Sequence, residues 1–308
     1  MTVHEIPFER RTLHGHFSRD LAPVLTVDSG DTIVFACLDS GWNLDRSSKY
    51  EPRDPELDAG HALVGPVAVR GARAGQVLEV SIEEVVPGSW GWCAAGDWVT
   101  PLNERLGLTS DGVSLEWTLD REAGVGRDER GHEVDLSPFL GVLGMPPPET
   151  GVHSTTPPRR WGGNIDCEEL VAGTRLYLPI PVDGALFSAG DCHARQGDGE
   201  VSQIAIECPL ERAELTLRVA EDLELATPIA WTPEGWLTFG FDEDLDEAVA
   251  VAVDAMLELM GREHGLGRAE ALALASLVVD MRVTQVVNQV RGAHAVLPHG
   301  ALRFATDS

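Results

Sequence analysis

Three segments of the chain repeat one short pattern: a small residue, a glycine, then apolar side chains three and five positions beyond that glycine. They are Ser29-Gly30-Asp31-Thr32-Ile33-Val34-Phe35, Ala74-Gly75-Gln76-Val77-Leu78-Glu79-Val80 and Ala172-Gly173-Thr174-Arg175-Leu176-Tyr177-Leu178. Glycine enters turn conformations that other residues resist, and the alternation after it describes a strand with one buried face. Further alternating runs at 78–82, 203–207 and 214–219 make the first two thirds a body of many short strands.

Between 88 and 160 the pattern loosens. Tryptophans at 90, 92 and 98, the run Pro146-Pro147-Pro148 and a charge-dense stretch at 121–133 predict long loops with a few short strands, draped over the body. Loops of that length serve as lids or oligomer contacts. From 243 to 263 the chain turns to Ala, Val, Leu and Met with interspersed acids. A Gly265-Leu266-Gly267 break follows, and Leu272, Ser276, Val279, Val283, Val286 and Val290 then recur at steps of four and three. That spacing predicts one face of a second helix across 269–289. The expected fold class is α+β, mainly β. A multi-stranded β-sandwich or barrel-like body occupies 1–240 and a C-terminal helical hairpin occupies 241–308, packed on the body as one integrated domain.

The charge narrows the partners. Fifty acids against 23 bases give −27, which repels nucleic acid and anionic membrane surfaces and admits a small neutral molecule more easily than an anion. No run of about 18 apolar residues predicts a membrane span. The opening Met1-Thr-Val-His-Glu-Ile-Pro7 has neither a basic region nor an apolar stretch, so no signal peptide is expected. Cys37, Cys93, Cys167, Cys192 and Cys208 are scattered, with no Cys-x-x-Cys pair. This argues against a disulfide framework or a zinc ribbon and fits a cytoplasmic setting.

Chemistry concentrates in Ala189-Gly-Asp191-Cys192-His193-Ala-Arg-Gln196-Gly-Asp198-Gly-Glu200, which holds three acids, a histidine and three glycines without a large apolar side chain. Carboxylates and imidazole are donors for divalent metals. Asp191 and His193, two apart, share one face of a strand. Asn164 and Asp166, in Trp161-Gly-Gly-Asn164-Ile-Asp166, do the same, while Asp39 and His61 lie near two other strand ends. Each has a plainer reading: Asp39 as a turn cap, Asp166 as the cap of a short helix through Leu170, His61 as a surface histidine. No Gly-x-Ser-x-Gly elbow or Ser-x-x-Lys supplies a serine nucleophile, and no phosphate loop opens a helix. Cys192 beside His193 is a possible nucleophile, but neighbours on a strand point oppositely.

Gly162-Gly-Asn-Ile-Asp166, the strand from Leu170 through Pro179, the string from Gly184 to Glu200, His61-Ala-Leu-Val-Gly-Pro66 and Ser276 through Asn288 together resemble the acetamidase/formamidase family, in family order from about residue 17 to 298. The resemblance implies hydrolysis of short aliphatic amides to carboxylate and ammonia, a β-rich fold, a divalent metal and a homo-oligomer, dimeric or higher. On that footing the expected ligands are drawn from Asp39, His61, Asp166, Asp191 and His193, for Zn²⁺ foremost, with Ca²⁺ or Mg²⁺ as alternatives. Glu200 is the expected general base, Asn164 and Gln196 orient the amide, and Asp198 fixes His193. The competing functions are a metal-stabilised binding module without turnover, and a metal-dependent hydrolase or lyase of a larger substrate enclosed by the tryptophans.

Overall fold

Two large β-sheets carry the chain, and the computed structural model describes residues 1–303. All three repeat glycines turn the backbone into the left-handed region, with φ of 92°, 91° and 91° at Gly30, Gly75 and Gly173. Each opens a strand: Asp31–Cys37, Val77–Pro87 and Arg175–Pro179. These join a nine-stranded sheet in the order Val3–Glu5, Asp31–Cys37, Leu210–Ala220, Val77–Pro87, Arg175–Pro179, Ile229–Trp231, Gly235–Asp242, Val290–Pro298, Asp280–Asn288.

The second sheet has eleven strands. Its main path runs Glu133–Asp135, Val125–Asp128, Val113–Asp120, Trp90–Ala95, Glu207–Cys208, Phe187–His193, Phe139–Gly144, Gly162–Asn164. The strand Leu63–Val69 pairs beside Phe187–His193 and brings Leu13–His14 and Leu25–Val27 with it. Ile33, Phe35, Leu78, Val80, Leu215, Leu140 and Phe187, drawn from both sheets, are buried in one apolar cluster.

The expected mainly β body with a helical hairpin is present, with two differences. The hairpin is Leu245–His264 followed by Arg268–Val278, and it ends eleven residues earlier than the 3.6-residue periodicity indicates. Val279 is extended, and Asp280–Asn288 forms an edge strand antiparallel to Val290–Pro298. Valine and threonine dominate this stretch, and β-branched side chains stiffen at χ1 and favour a pleated surface. The last five residues of the 241–308 segment lie outside the described residues.

The region 88–160 is also more regular than expected. It contributes Trp90–Ala95, Val113–Asp120, Val125–Asp128, Glu133–Asp135 and Phe139–Gly144 and the short helix Pro101–Leu106. Val113, Leu115, Trp117 and Leu119 alternate inward against Ser114, Glu116, Thr118 and Asp120, a period of two beside a charge-dense stretch. The alternation at 203–207 yields only the two-residue strand Glu207–Cys208.

The helix Leu245–His264 lies on the Gly235–Asp242 strand, where a Cβ at Gly240 would stand 1.9 Å from the Ala248 carbonyl oxygen. The helix buries Ala252, Met256, Leu259 and Met260 against Val77, Tyr177, Ile229 and Leu297. All five cysteines are free, and among the described residues no helix is long and apolar enough to cross a membrane.

One brace reaches the strand that carries the polar cluster. His14 donates through Nδ1 to the His16 carbonyl at 2.6 Å and its Nε2 meets the Ser188 hydroxyl at 3.0 Å. Burial pushes its pKa down from 6.5 to about 4. The unfolded imidazole therefore takes up its proton near pH 6.5 while the folded one resists until about pH 4, so falling pH favours the unfolded chain. The melting temperature is expected to drop as pH falls through that window. His14→Asn should flatten this part of the profile, as thermal melts between pH 7 and 4 will show.

Candidate active site

Phe187–His193 changes neighbours in mid-strand. Gly190 pairs with Leu63 on one flank, while Cys192 pairs with Cys208 two residues later. Asp191 lies between, with φ of 59°, a conformation that costs a non-glycine residue of order 1 kcal/mol or more and survives where the surroundings enforce it. On the other flank Leu140 faces Cys192 and Val142 faces Gly190, which sets Gly141 beside Asp191. The Gly141 carbonyl accepts from the backbone N–H of Ile165 at 2.9 Å and of Asp166 at 3.3 Å. A Cβ at Gly141 would stand 2.6 Å from Asp191 Oδ2, 2.7 Å from Asp166 Oδ1 and 2.9 Å from His193 Cε1. The space a side chain would fill holds three functional groups instead.

Donor atoms of Asp166, Asp191 and His193 lie within 4.8 Å of one another, as do those of His193, Glu200 and Glu207, so the two groups share the imidazole. All five residues are buried. His193 Nδ1 donates to Gln196 Oε1 at 2.8 Å, and Gln196 Nε2 donates to the Asp166 carbonyl at 2.7 Å. The glutamine thus fixes the ring and directs Nε2 toward Asp191 at 3.4 Å and Glu207 at 3.3 Å. Asn288 Nδ2 donates to Asp166 Oδ2 at 2.8 Å and reaches Glu200 Oε2 at 3.4 Å. Glu200 arrives there because Gly199 bonds to the edge strand, giving its N–H to Thr284 and accepting from Val286.

Four buried acceptors have no hydrogen-bond partner: Asp166 Oδ1, Asp191 Oδ1, Glu207 Oε2 and Asn164 Oδ1. Buried polar atoms are nearly always satisfied, and carboxylates left without donors are costly. Burial drives Asp166 well above the usual carboxylate range, helped by the Glu200 charge, and drives Glu207 up despite its neighbour His193. Burial raises Glu200 to about 7. For Asp191 burial is outweighed by the His193 and His61 imidazoles, which hold it low. His193 in turn is held well above 6.5 by Glu207 and Asp191 against the effect of burial. Oxygen donors without protons to accept, around one oriented imidazole nitrogen, suit a divalent cation.

The sequence candidates do not all converge here. Asp39 is buried, but its Oδ1 takes the Asn43 N–H at 2.7 Å, and its Oδ2 takes Asn43 Nδ2 at 2.6 Å and Trp92 Nε1 at 2.8 Å. Its charge is spent organising a turn, and it stands outside both donor groups. His61 holds Thr155 through Nδ1 at 2.8 Å and lies outside them as well. No helix follows Asp166. Gln196 has both ends of its amide engaged, so it positions His193 instead of orienting a substrate. Asp198, expected behind His193, sits 3.8 Å from Arg282. Cys192 packs in the apolar core. Trp92 and Trp98 hydrogen-bond to Asp39 and Gln203 at 2.8 and 2.6 Å. Glu207, Asn288 and Gly141 were not singled out from the sequence. Of these only Asn288 lay inside a segment carrying the family resemblance.

Two cavities flank the cluster, each of about 290 Å³. One is lined by Glu200 and Gln196 with Trp117, Val201, Ile204 and Ile206. The other is lined by His61, Ser40 and Trp92, and Trp92 is in strand register with Glu207.

An enclosed acid–histidine cluster on a two-sheet β scaffold offers the donors of a metal or hydrolytic site, and comparison with known proteins gives the family. A family model described as the acetamidase/formamidase family matches residues 3–153 and 148–301, and the chain belongs to that family of amidases. It is 26% identical over 304 residues to a putative formamidase of Schizosaccharomyces pombe, with 77% of this chain and 74% of that one covered. It is 25% identical over 248 residues to an acetamidase of Mycolicibacterium smegmatis, covering 61% of each. The chain thus spans about three fifths of that relative's length. A crystal structure described as a predicted acetamidase/formamidase from Thermoanaerobacter tengcongensis superimposes with a TM-score of 0.83 at 29% identity, over 96% of this chain and 95% of that one.

The crowding at Gly141 yields a test. The three atoms a methyl group would strike are side-chain ends, so Gly141→Ala can keep the fold while moving all three functional groups. Displacements of about 1 Å cost on the order of 100-fold in rate. Amide hydrolysis is expected to fall by about that factor with an unchanged circular dichroism spectrum.

Proposed function

We propose that the chain hydrolyses short aliphatic amides of the formamide and acetamide type to carboxylate and ammonia, with Asp166, Asp191 and His193 holding a divalent cation, Zn²⁺ foremost. The observation that carries this is the set of buried, partnerless oxygens at Asp166, Asp191 and Glu207 around an imidazole whose Nδ1 is committed to Gln196. Neutral packing leaves no such set, whereas a cation offsets the burial cost of several carboxylates at once. A cation bound there supplies Lewis acidity toward the amide carbonyl and toward water.

The chain's own groups do the rest. Glu200, held near Asn288 and raised to about 7, takes a proton from the attacking water and returns it to the departing nitrogen, a role suited to a carboxyl poised near the working pH. Asn164, buried with Oδ1 free, accepts from the substrate's amide N–H and fixes its orientation. Gln196 and Asn288 keep His193, Asp166 and Glu200 in register. The small cavities, about 290 Å³ each, favour a small substrate over a large flat one. We take the chain to act in the cytoplasm as a homo-oligomer, with exposed Leu272 and Leu277 supporting self-association; light scattering on the purified protein checks the oligomer.

Ammonia release from formamide, acetamide and propionamide is the direct test, before and after chelation. Release that stops on chelation and returns with a divalent metal is expected; no release from any of the three overturns the proposal. Glu200→Gln is expected to lower kcat by 100-fold or more with bound metal unchanged by elemental analysis. Full activity in that variant would remove Glu200 from the mechanism.

A further inference from the structure

Lys49 is the only lysine among the 308 residues; the other 22 basic residues counted with it are arginines. It lines the cavity that adjoins the candidate site through Ser40, His61 and Trp92, and Arg53 lines the same cavity. No aspartate or glutamate side chain lines it, in a chain with 50 acids and a net charge of −27.

Lys49 has no ion-pair partner among the described residues, and Arg53 has only a long one. Lys49 Nζ donates to the Gly41 carbonyl at 3.0 Å and forms no ion pair among the described residues, so two of its three donors are unused. Arg53 Nε is buried without a hydrogen-bond partner. Its nearest carboxylate, Glu51, stands 3.7 Å away with a side chain 65% exposed, a separation at which a surface pair contributes little. The Asp39 carboxylate close to this cavity is already taken up by Asn43 and Trp92. What the cavity presents to a ligand is the accessible remainder of the Arg53 guanidinium and the Lys49 ammonium, with no carboxylate in the lining.

We propose that Arg53 and Lys49 form a carboxylate-recognising subsite, and that the preferred substrate is an amide carrying an anionic tail, such as the half-amide of a three- or four-carbon dicarboxylic acid. This rests on the amide hydrolysis proposed above and specifies its substrate. The amide end points toward the cluster, and the carboxylate end accepts from the accessible part of the Arg53 guanidinium and from the Lys49 ammonium. Guanidinium and ammonium donors to a carboxylate make charge-assisted hydrogen bonds, roughly twice as strong as neutral ones. The cavity of about 290 Å³ lies at the small end of ligand pockets. The long-range field of an acidic chain opposes an anion, so two cations in a cavity lined by no carboxylate have a specific use: they reverse that bias locally.

The test compares succinamate with its neutral counterpart succinamide and with acetamide, in the metal-loaded protein. Succinamate is expected to exceed succinamide in kcat/KM by tenfold or more, through KM, with the advantage shrinking as salt rises. Arg53→Gln and Lys49→Gln should each bring that ratio toward one. Calorimetric binding of succinamate, measured separately from turnover, should weaken in the same variants. The lone lysine allows a further check: acylation by an amine-reactive reagent modifies only Lys49 and the N-terminus, and succinamate should protect Lys49. Turnover of acetamide and succinamide with no advantage for succinamate overturns the subsite, as does an advantage that persists in the double variant. Binding that depends on Arg53, without turnover of any amide, supports the subsite and sinks the amidase proposal instead.

Discussion

The architecture of the candidate site depends on the absence of one side chain. Gly141 stands where the Phe187–His193 strand exchanges one neighbour for another, and its bare Cα leaves room for Asp191, Asp166 and His193 to meet. Its carbonyl anchors the amides of Ile165 and Asp166, which follow the Gly162–Asn164 strand. A sheet ordinarily alternates its side chains above and below, two residues apart. Here a left-handed Asp191 and a glycine opposite it break the alternation, so carboxylates reach a place that regular pleating would deny them. The strain at Asp191, and the similar φ of 53° at Asp166 and 43° at Glu200, marks where the framework departs from a regular sheet for the sake of the cluster.

Electrostatics sort the surroundings into two regimes. Within the cluster, carboxyl groups outnumber imidazoles, and burial holds Asp166, Glu200 and Glu207 above their ordinary range. At the adjoining cavity the sign reverses, with Lys49 and Arg53 facing no lining carboxylate. Trp92 stands between the two, its indole N–H on Asp39 and its backbone in register with Glu207. The net charge of the chain says little about either place, because charges on the far surface are screened within about a Debye length of 10 Å while buried neighbours act at full strength.

Much of this is legible in the sequence alone. The three glycine-led repeats became three strands of one sheet, since a left-handed turn followed by alternation has few other outcomes. The segment from Ala189 to Glu200 carries Asp191, His193 and Glu200, because a polar run without large apolar residues has nothing to give a core. Register and distance hid the rest. Glu207 ends an ordinary alternating run, and only its pairing opposite His193 gives it chemistry. Asn288 fell within a stretch whose valines recur at three and four, a spacing that fits a helix as well as it fits the edge strand it becomes. Asp39 and His61 are polar residues near strand ends, like true cluster members, and nothing local reveals that Asn43, Trp92 and Thr155 already engage them. Gly141 carried no signal at all, because what matters there is the emptiness around its Cα.

The hydrogen bond from Asn288 to Asp166 joins residues 122 positions apart, and the Gly199 bonds to Thr284 and Val286 tie the Glu200 loop to the same edge strand. The cluster is therefore completed by a strand that is synthesised well after the segments that carry Asp166, Asp191 and His193. Contacts this distant in sequence form late, after the loop-closure entropy has been met. During synthesis most of the sandwich can assemble while the cluster lacks the residue that orients two of its acids. A chain cut short before Asn288 keeps Asp166, Asp191, His193 and Glu200 yet has no complete site, so function in this molecule reports on the integrity of the strand that carries Asn288.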